Sequence, residues 1–181
     1  MVSRNVGEYR YPLGGKLYVF NKNENIGFIK GHMCSPAIAT QAEDLIAGGV
    51  KELIHVGYAG GLQPELVPGE IILTDGAFND TAVARLYGYD YDIIHSSKDL
   101  TNEIEEMITS AEILYKRGFH WTTDAGYRET WGQVMDYRDK GALCVEMEGV
   151  GLFTIANYRK CVATGIYAVS YTHLRAHETR G

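Results

Sequence analysis

One junction constrains the fold of this sequence more than any other stretch, because an apolar run, residues 143–145, turns into a helical apolar pattern over residues 149–160. The apolar run predicts the end of an inner strand, and the spacing that follows predicts a helix. Ligands bind at the carboxyl ends of strands in open α/β sheets, so Glu146, Met147 and Glu148 fall where a site is expected. In an extended segment the two glutamates share one side, where one carboxylate could grip a ligand while the other anchors the turn.

The two glutamates also have a simpler interpretation. Acidic residues at the start of a helix interact favourably with its dipole even when they are solvated. Spacing alone does not decide between a ligand site and a solvated helix start.

The remaining sequence alternates between strand and helix patterns, which is typical of an α/β fold. A loop that ends on the helix beginning at Ser35-Pro36 is also a natural anion site, because free N–H groups point out of a helix N-terminus. The predicted elements are a hairpin of strands 17–20 and 26–29, a helix capped by Ser35, a strand over 52–57 with a loop over 58–62, a strand over 71–74, a loop over 75–97, a helix over 100–118, strands over 119–123 and 162–169, and a short segment over 129–140.

Composition narrows the class of protein. A chain of 181 residues that is 45% hydrophobic is long enough for one core. A net charge of −6 argues against a nucleic-acid surface, and no apolar stretch approaches the ~18 residues of a membrane span. The N-terminus lacks the apolar core of a signal peptide, and the 3 cysteines and 6 histidines show no metal-ligand spacing. We therefore expect a soluble cytoplasmic protein with reduced thiols, no metal, and neither nucleic acid nor membrane as a partner.

The Val-Glu-Met-Glu sequence with a small residue after it, residues 145–149, resembles the ribose-binding signature of the nucleoside phosphorylase and nucleosidase superfamily. A second stretch, 56–64 followed by 67–72, is similar to that family's strand, Gly-x-x-Gly loop and Val-x-x-Gly-Asp/Glu strand. The resemblance implies a three-layer α/β/α fold with a central mixed β-sheet. It also implies that Met147 and Glu148 contact the ribose hydroxyls, where a carboxylate stabilises the oxocarbenium character of the breaking N-glycosidic bond.

The resemblance assigns further residues to the base and to phosphate. Tyr127 matches the second residue of an aromatic pair that packs on the base, and Glu146 is expected beside the base as well. His55, Gly57 and Tyr58 fall at the phosphate site, where phosphorylases of the family carry an Arg and a Ser or Thr. A neutral histidine offers one donor and no fixed charge, whereas arginine offers a permanent bidentate fork. Nucleosidases of the same fold, which use water, also lack that Arg.

The catalytic acid stays unassigned. In the family the last strand continues from Val-Ser into an Asp that protonates the purine, and here Tyr171 follows Ser170. Residues 171–181 resemble translated adaptor DNA, so we expect one domain over 1–170 and a non-native tail over 171–181. The family's first strand and last helix have no counterpart, which predicts a truncated and inert chain.

These observations predict a nucleoside phosphorylase-like pentosyltransferase of purine salvage that cleaves a purine or pyrimidine nucleoside. Inorganic phosphate is the expected cosubstrate, no cofactor is expected, and a homo-oligomer is the expected assembly. Two alternatives stay open: a nucleosidase of the same fold, and a non-catalytic nucleoside-binding remnant.

Overall fold

The computed structural model describes residues 3–9 and 15–172, which form two β-sheets and the helices that pack on the larger one. A three-stranded antiparallel sheet, β1-β2-β3, precedes the main fold and contains the predicted hairpin. In chain order the elements are β1 (Ser3–Tyr9), β2 (Gly15–Phe20), β3 (Asn23–Phe28), α1 (Ser35–Ala47), β4 (Glu52–Gly61), β5 (Ile71–Asp80), α2 (Val83–Leu86), β6 (Ile93–His95), α3 (Lys98–Ser110), β7 (Tyr115–Thr123), a 3-10 turn (Gly126–Arg128), α4 (Trp131–Asp139), β8 (Cys144–Glu146), α5 (Gly149–Arg159) and β9 (Val162–Thr172).

The central sheet is mixed, as predicted. Its strand order is β6-β5-β7-β8-β4-β9, and β9 also pairs with β5. The β4–β9, β5–β7 and β7–β8 pairs are parallel, whereas the β5–β6, β4–β8 and β5–β9 pairs are antiparallel. Because β9 joins β4 to β5, the strands β5, β7, β8, β4 and β9 close into a ring.

Helices cover both faces of this sheet, which confirms the predicted α/β fold class. Ala163 of β9 packs with α1 and α5, whereas its neighbour Val162 packs with Ile104 and Ile108 of α3. Neighbouring residues of a strand point to opposite faces, so α3 lies across the sheet from α1 and α5. The α1–α5 crossing is close, because a Cβ at Gly151 would lie 2.5 Å from the carbonyl oxygen of Ser35.

Several predicted boundaries are wrong. The helix predicted over 100–118 ends at Ser110, because Glu112 adopts a left-handed backbone with φ 55° that a helix does not contain. Residues 115–118 belong to β7 instead. The apolar spacing of Ala111, Leu114 and Tyr115 fits a helical face, yet Leu114 is 91% exposed because the chain has already left the helix.

The predicted loops are also shorter than expected. Residues 58–61 continue β4, and the predicted loop over 75–97 contains the second half of β5, all of α2 and all of β6. A register shift at Gly76, where φ is 148°, lets β5 run on beyond Thr74. Ser35 is the first residue of α1 and Cys34 is its N-cap, so the cap predicted at Ser35 lies one residue earlier.

Tyr171 and Thr172 extend β9 and pair with Gly60 and Gly61 of β4. The rest of the predicted tail, 173–181, lies outside the described residues, as do residues 1–2 and 10–14 of the predicted domain. Within the described ranges, no helix is long and apolar enough to cross a membrane.

Candidate active site

The turn between β8 and α5 is built around the carboxylate of Glu146. Its Oε2 accepts the backbone N–H groups of Glu148 at 2.8 Å and Gly149 at 2.9 Å. Its Oε1 accepts the Thr122 hydroxyl at 2.5 Å. Thr122 also accepts the N–H of Val150 at 3.2 Å. These contacts give partners to N–H groups that a helix N-terminus leaves unpaired, which explains why α5 begins here.

A buried histidine lies behind this carboxylate. His120 is fully buried on β7, and its Nε2 is 3.0 Å from Oε1 of Glu146. Its Nδ1 is 2.6 Å from the hydroxyl oxygen of Thr74. Burial alone would raise the pKa of Glu146, but His120 and the hydrogen bonds from Thr122 and the Glu148 N–H lower this pKa to about 2. Glu146 is therefore an ionised carboxylate directed into the protein.

Glu148 lies across the start of α1. Its Oε1 accepts the N–H of Cys34 at 2.7 Å, and the Ser35 hydroxyl donates to the carbonyl of Met147 at 3.0 Å. The helix N-terminus predicted as an anion site is thus occupied by the carboxylate of Glu148. Burial and the neighbouring charge of Glu146 raise the pKa of Glu148 to about 7. The two glutamates therefore differ strongly in proton affinity although they are two residues apart.

Tyr127, one of the two residues predicted beside the base, lies at the same edge of the sheet as the turn between β8 and α5. Tyr127 is fully exposed on the 3-10 turn that follows β7. A Cβ at the neighbouring Gly126 would lie 3.6 Å from Sδ of Met147, so this turn adjoins the predicted ribose residues. The side chain of Glu146, in contrast, is 1% exposed and fully engaged inside the protein. Base contacts by Tyr127 and Glu146 both stay predictions.

The three residues predicted at the phosphate site lie on β4 but not on one face. The position of a Cβ at Gly57 is 3.3 Å from the His55 ring and 3.6 Å from Tyr167, so His55 and Gly57 face Tyr167. Tyr58 points to the opposite face and is 78% exposed. Burial lowers the pKa of His55, although the charge of Glu146 acts in the opposite direction. His55 is therefore neutral at pH 7 and offers phosphate no positive charge.

Sequence reasoning missed His120, Thr122 and Cys34 as parts of this site. Thr122 is directly opposite Glu146 in the parallel β7–β8 pair, a register that only the assembled sheet reveals. The Cys34 contact comes from the amide group, which every residue other than proline has. No local motif marks His120. In the described part of the chain, no group of three or more His, Cys, Asp or Glu residues is arranged to hold a metal ion.

The mixed α/β sheet, with a Glu-Met-Glu turn at its carboxyl edge next to an exposed tyrosine, agrees with the fold that the resemblance to the phosphorylase and nucleosidase superfamily implies. Sequence comparison gives the same answer. The model of the phosphorylase superfamily matches residues 4–180, and the chain belongs to that family.

The chain is also similar to curated bacterial enzymes. A purine nucleoside phosphorylase DeoD-type from Exiguobacterium sibiricum is 32% identical over 147 residues, which are 80% of this chain and 62% of the relative. A DeoD-type 1 enzyme from Shewanella oneidensis is 27% identical over 88% of this chain and 70% of the relative. A DeoD-type enzyme from another Exiguobacterium strain is 30% identical, again over 80% of this chain and 62% of the relative. The matched part of the chain thus spans 62–70% of the length of these relatives.

Proposed function

We propose that this protein is a nucleoside phosphorylase that cleaves the N-glycosidic bond of a purine nucleoside, with inorganic phosphate as the acceptor of the sugar. The observation that carries the proposal is the position of Glu148, which is held at 2.7 Å by the Cys34 N–H next to Met147. The names of the similar bacterial enzymes support purine nucleosides as the substrate class.

The chemistry requires an anion beside the sugar. As the bond between C1′ and the base nitrogen breaks, its electron pair stays on the base and positive charge develops on the ribose ring. The ionised form of Glu148 stabilises this charge and holds the ribose hydroxyls, and Met147 packs against the sugar. A phosphate oxygen then bonds to C1′, and the departing base takes up a proton. The acid that supplies this proton stays unassigned, because Tyr171 stands at the position where the resemblance implies Asp.

Hydrolysis is the second candidate, and it is favoured by His55. Its lowered pKa leaves no charge at the position where a phosphorylase of the family carries Arg. Water needs no such charge, so the same ribose site would serve a nucleosidase.

Product analysis separates these functions. Inosine, adenosine and uridine are each incubated with the protein, with and without phosphate, and the sugar product is identified by NMR. Ribose 1-phosphate formed only with phosphate supports the proposal, whereas free ribose at equal rates in both conditions identifies a nucleosidase. Glu148→Gln should impair turnover far more than Glu103→Gln on the exposed side of α3. Nucleoside binding without turnover would instead indicate a non-catalytic binding protein.

A further inference from the structure

His120 has no part in the function proposed so far, yet its surroundings are specific. The ring is 0% exposed and lies against Phe153 of α5 and Tyr167 of β9. Both ring nitrogens have polar neighbours, Thr74 on one side and Glu146 on the other. Both ring nitrogens thus have the partners that buried polar groups need, and one of these partners is the carboxylate that anchors the turn.

The two oxygens of Glu146 divide their contacts in a way that gives His120 a task. Oε1 faces His120 and Thr122, which belong to β7. Oε2 faces the amides of Glu148 and Gly149, which form the turn. Glu146 is thus a brace between the sheet and the turn. His120 holds the sheet end of that brace.

Gly149 leaves the space that the His120 ring occupies, because it has no side chain. A methyl group at position 149 would overlap Nε2 of His120 and would lie 3.1 Å from Oε1 of Glu146. Real Cβ atoms do not approach other atoms as closely as this one would approach His120, so any larger residue at 149 must displace the ring or the turn. The imidazole and the glycine therefore fit together.

We propose that His120 is a positioning residue of the ribose site: by holding Oε1 of Glu146 from inside the sheet, it keeps Oε2 on the backbone that presents Met147 and Glu148. This inference rests on the proposed function, because it assigns His120 to the same sugar site. It adds a residue that never touches the substrate and acts only through Glu146.

The contact with His120 also makes the proton affinities of the two glutamates unequal. Two carboxylates this close do not both ionise easily, so one of them takes a proton at higher pH. With His120 present, Glu146 keeps its charge and Glu148 takes the proton. Removing His120 should therefore raise the pKa of Glu146 and lower that of Glu148. The other titratable groups around the pair are Cys34 before α1, His55 on β4, Asp124 after β7, Cys144 on β8, and Tyr167 on β9.

The first test reads the turn directly by NMR and needs no ligand. In His120→Leu, amide hydrogen exchange at Glu148 and Gly149 should accelerate on the order of tenfold, as expected for the loss of one buried hydrogen bond. The midpoint of the Glu148 side-chain carbonyl titration should fall below that of the parent protein. His120→Gln retains an N–H donor and should restore slow exchange. Unchanged exchange and an unchanged midpoint in His120→Leu would overturn the inference.

A matched control separates positioning from general destabilisation. Ile108 is 8% exposed, lies on the buried side of α3 and belongs to a core cluster that contains no residue of the turn, so Ile108→Ala should destabilise the fold while leaving the Glu148 midpoint in place. A midpoint that moves equally in Ile108→Ala would show that the effect is not specific to His120.

The second test uses the close contact between Gly149 and His120. It can replace the first test if His120→Leu folds poorly. Gly149→Ala should shift the Glu148 midpoint in the parent protein, and the shift should largely disappear in a His120→Ala background, where the overlap is relieved. Equal shifts in both backgrounds would refute the proposed fit.

Calorimetry of adenosine binding tests the proposed function separately from the role of His120. If the parent protein binds no adenosine while the NMR effects occur, the proposed function is wrong and the brace is right.

Discussion

The unequal glutamates lead to a sharp prediction for Glu148→Gln: the variant should gain stability at high pH while losing function. The pKa of Glu148 in the folded protein is raised from 4.5 to about 7 by burial and by Glu146. A raised pKa means that the folded state binds the proton more tightly than the unfolded state, so stability falls as pH rises from about 4.5 through about 7. Glutamine is neutral at every pH, and its carbonyl oxygen can still accept the Cys34 N–H.

The size of the pKa shift of Glu148 determines how much folding stability is lost as pH rises. A change from 4.5 to about 7 corresponds to at most about 3 kcal/mol, and solvent around the partly exposed carboxyl reduces this to about 1–2 kcal/mol. Glu146 does not interfere, because its lowered pKa of about 2 affects stability only as pH falls below about 4.5. His55 has a lowered pKa and removes stability as pH falls below 6.5, but it does so equally in parent and variant.

The assay is urea unfolding of both proteins at pH 5, 6, 7 and 8. The difference in the free energy of unfolding should grow with pH in favour of the variant, whereas Glu103→Gln should show no such trend. The activation free energy of nucleoside cleavage should rise by about 2–4 kcal/mol, because the anion beside the sugar is gone. A variant that follows the parent's pH dependence, or that is less stable at pH 8, would refute the reasoning.

Three further predictions concern neighbouring residues. Tyr127→Ala should weaken adenosine binding by about 1–3 kcal/mol through lost stacking and leave the melting temperature unchanged, because the side chain is fully exposed; unchanged binding would remove it from the base site. If His55 contacts phosphate, the Michaelis constant for phosphate should be high at pH 7 and should fall only as pH drops below 6.5, where the half-buried ring gains charge; tight, pH-independent binding would point to other residues. Thr122→Val should cost about 1–3 kcal/mol of unfolding free energy, since Glu146 and the Val150 N–H both lose a buried partner, whereas the exposed Thr109→Val should cost far less.

The fold could be predicted from the sequence where apolar periodicity reflects packing. The strand over 162–169 and the helix after Gly149 are apolar because most of their residues are buried, whereas Ile54 and Val56 in the strand over 52–57 are 46% and 72% exposed. The same pattern failed at the end of α3, where Leu114 continues the helical spacing although the chain has already turned at Glu112. Periodicity records which residues are apolar and contains no information on where the backbone changes direction.

Only those parts of the candidate site that are adjacent in sequence could be predicted. The motif located Glu146, Met147 and Glu148, and the geometry matches the expectation that one carboxylate anchors the turn, a task performed by Glu146. The expectation of an extended segment with both carboxylates on one side is wrong, since Glu148 has helical backbone angles and contacts α1. The brace from His120 joins residues on different strands, so no spacing in the sequence could show it.

The ring of strands described above has a consequence for how the chain folds. Glu52 of β4 pairs with Val162 of β9, and Leu73 of β5 pairs with Ile166, so the ring closes only through contacts between residues far apart in sequence. Loop closure over such distances slows folding, and the ribosome must release β9 before β4 and β5 gain this neighbour. We therefore expect the nascent chain to expose both strand edges until β9 has left the ribosome, which makes chaperone binding at this stage a determinant of yield.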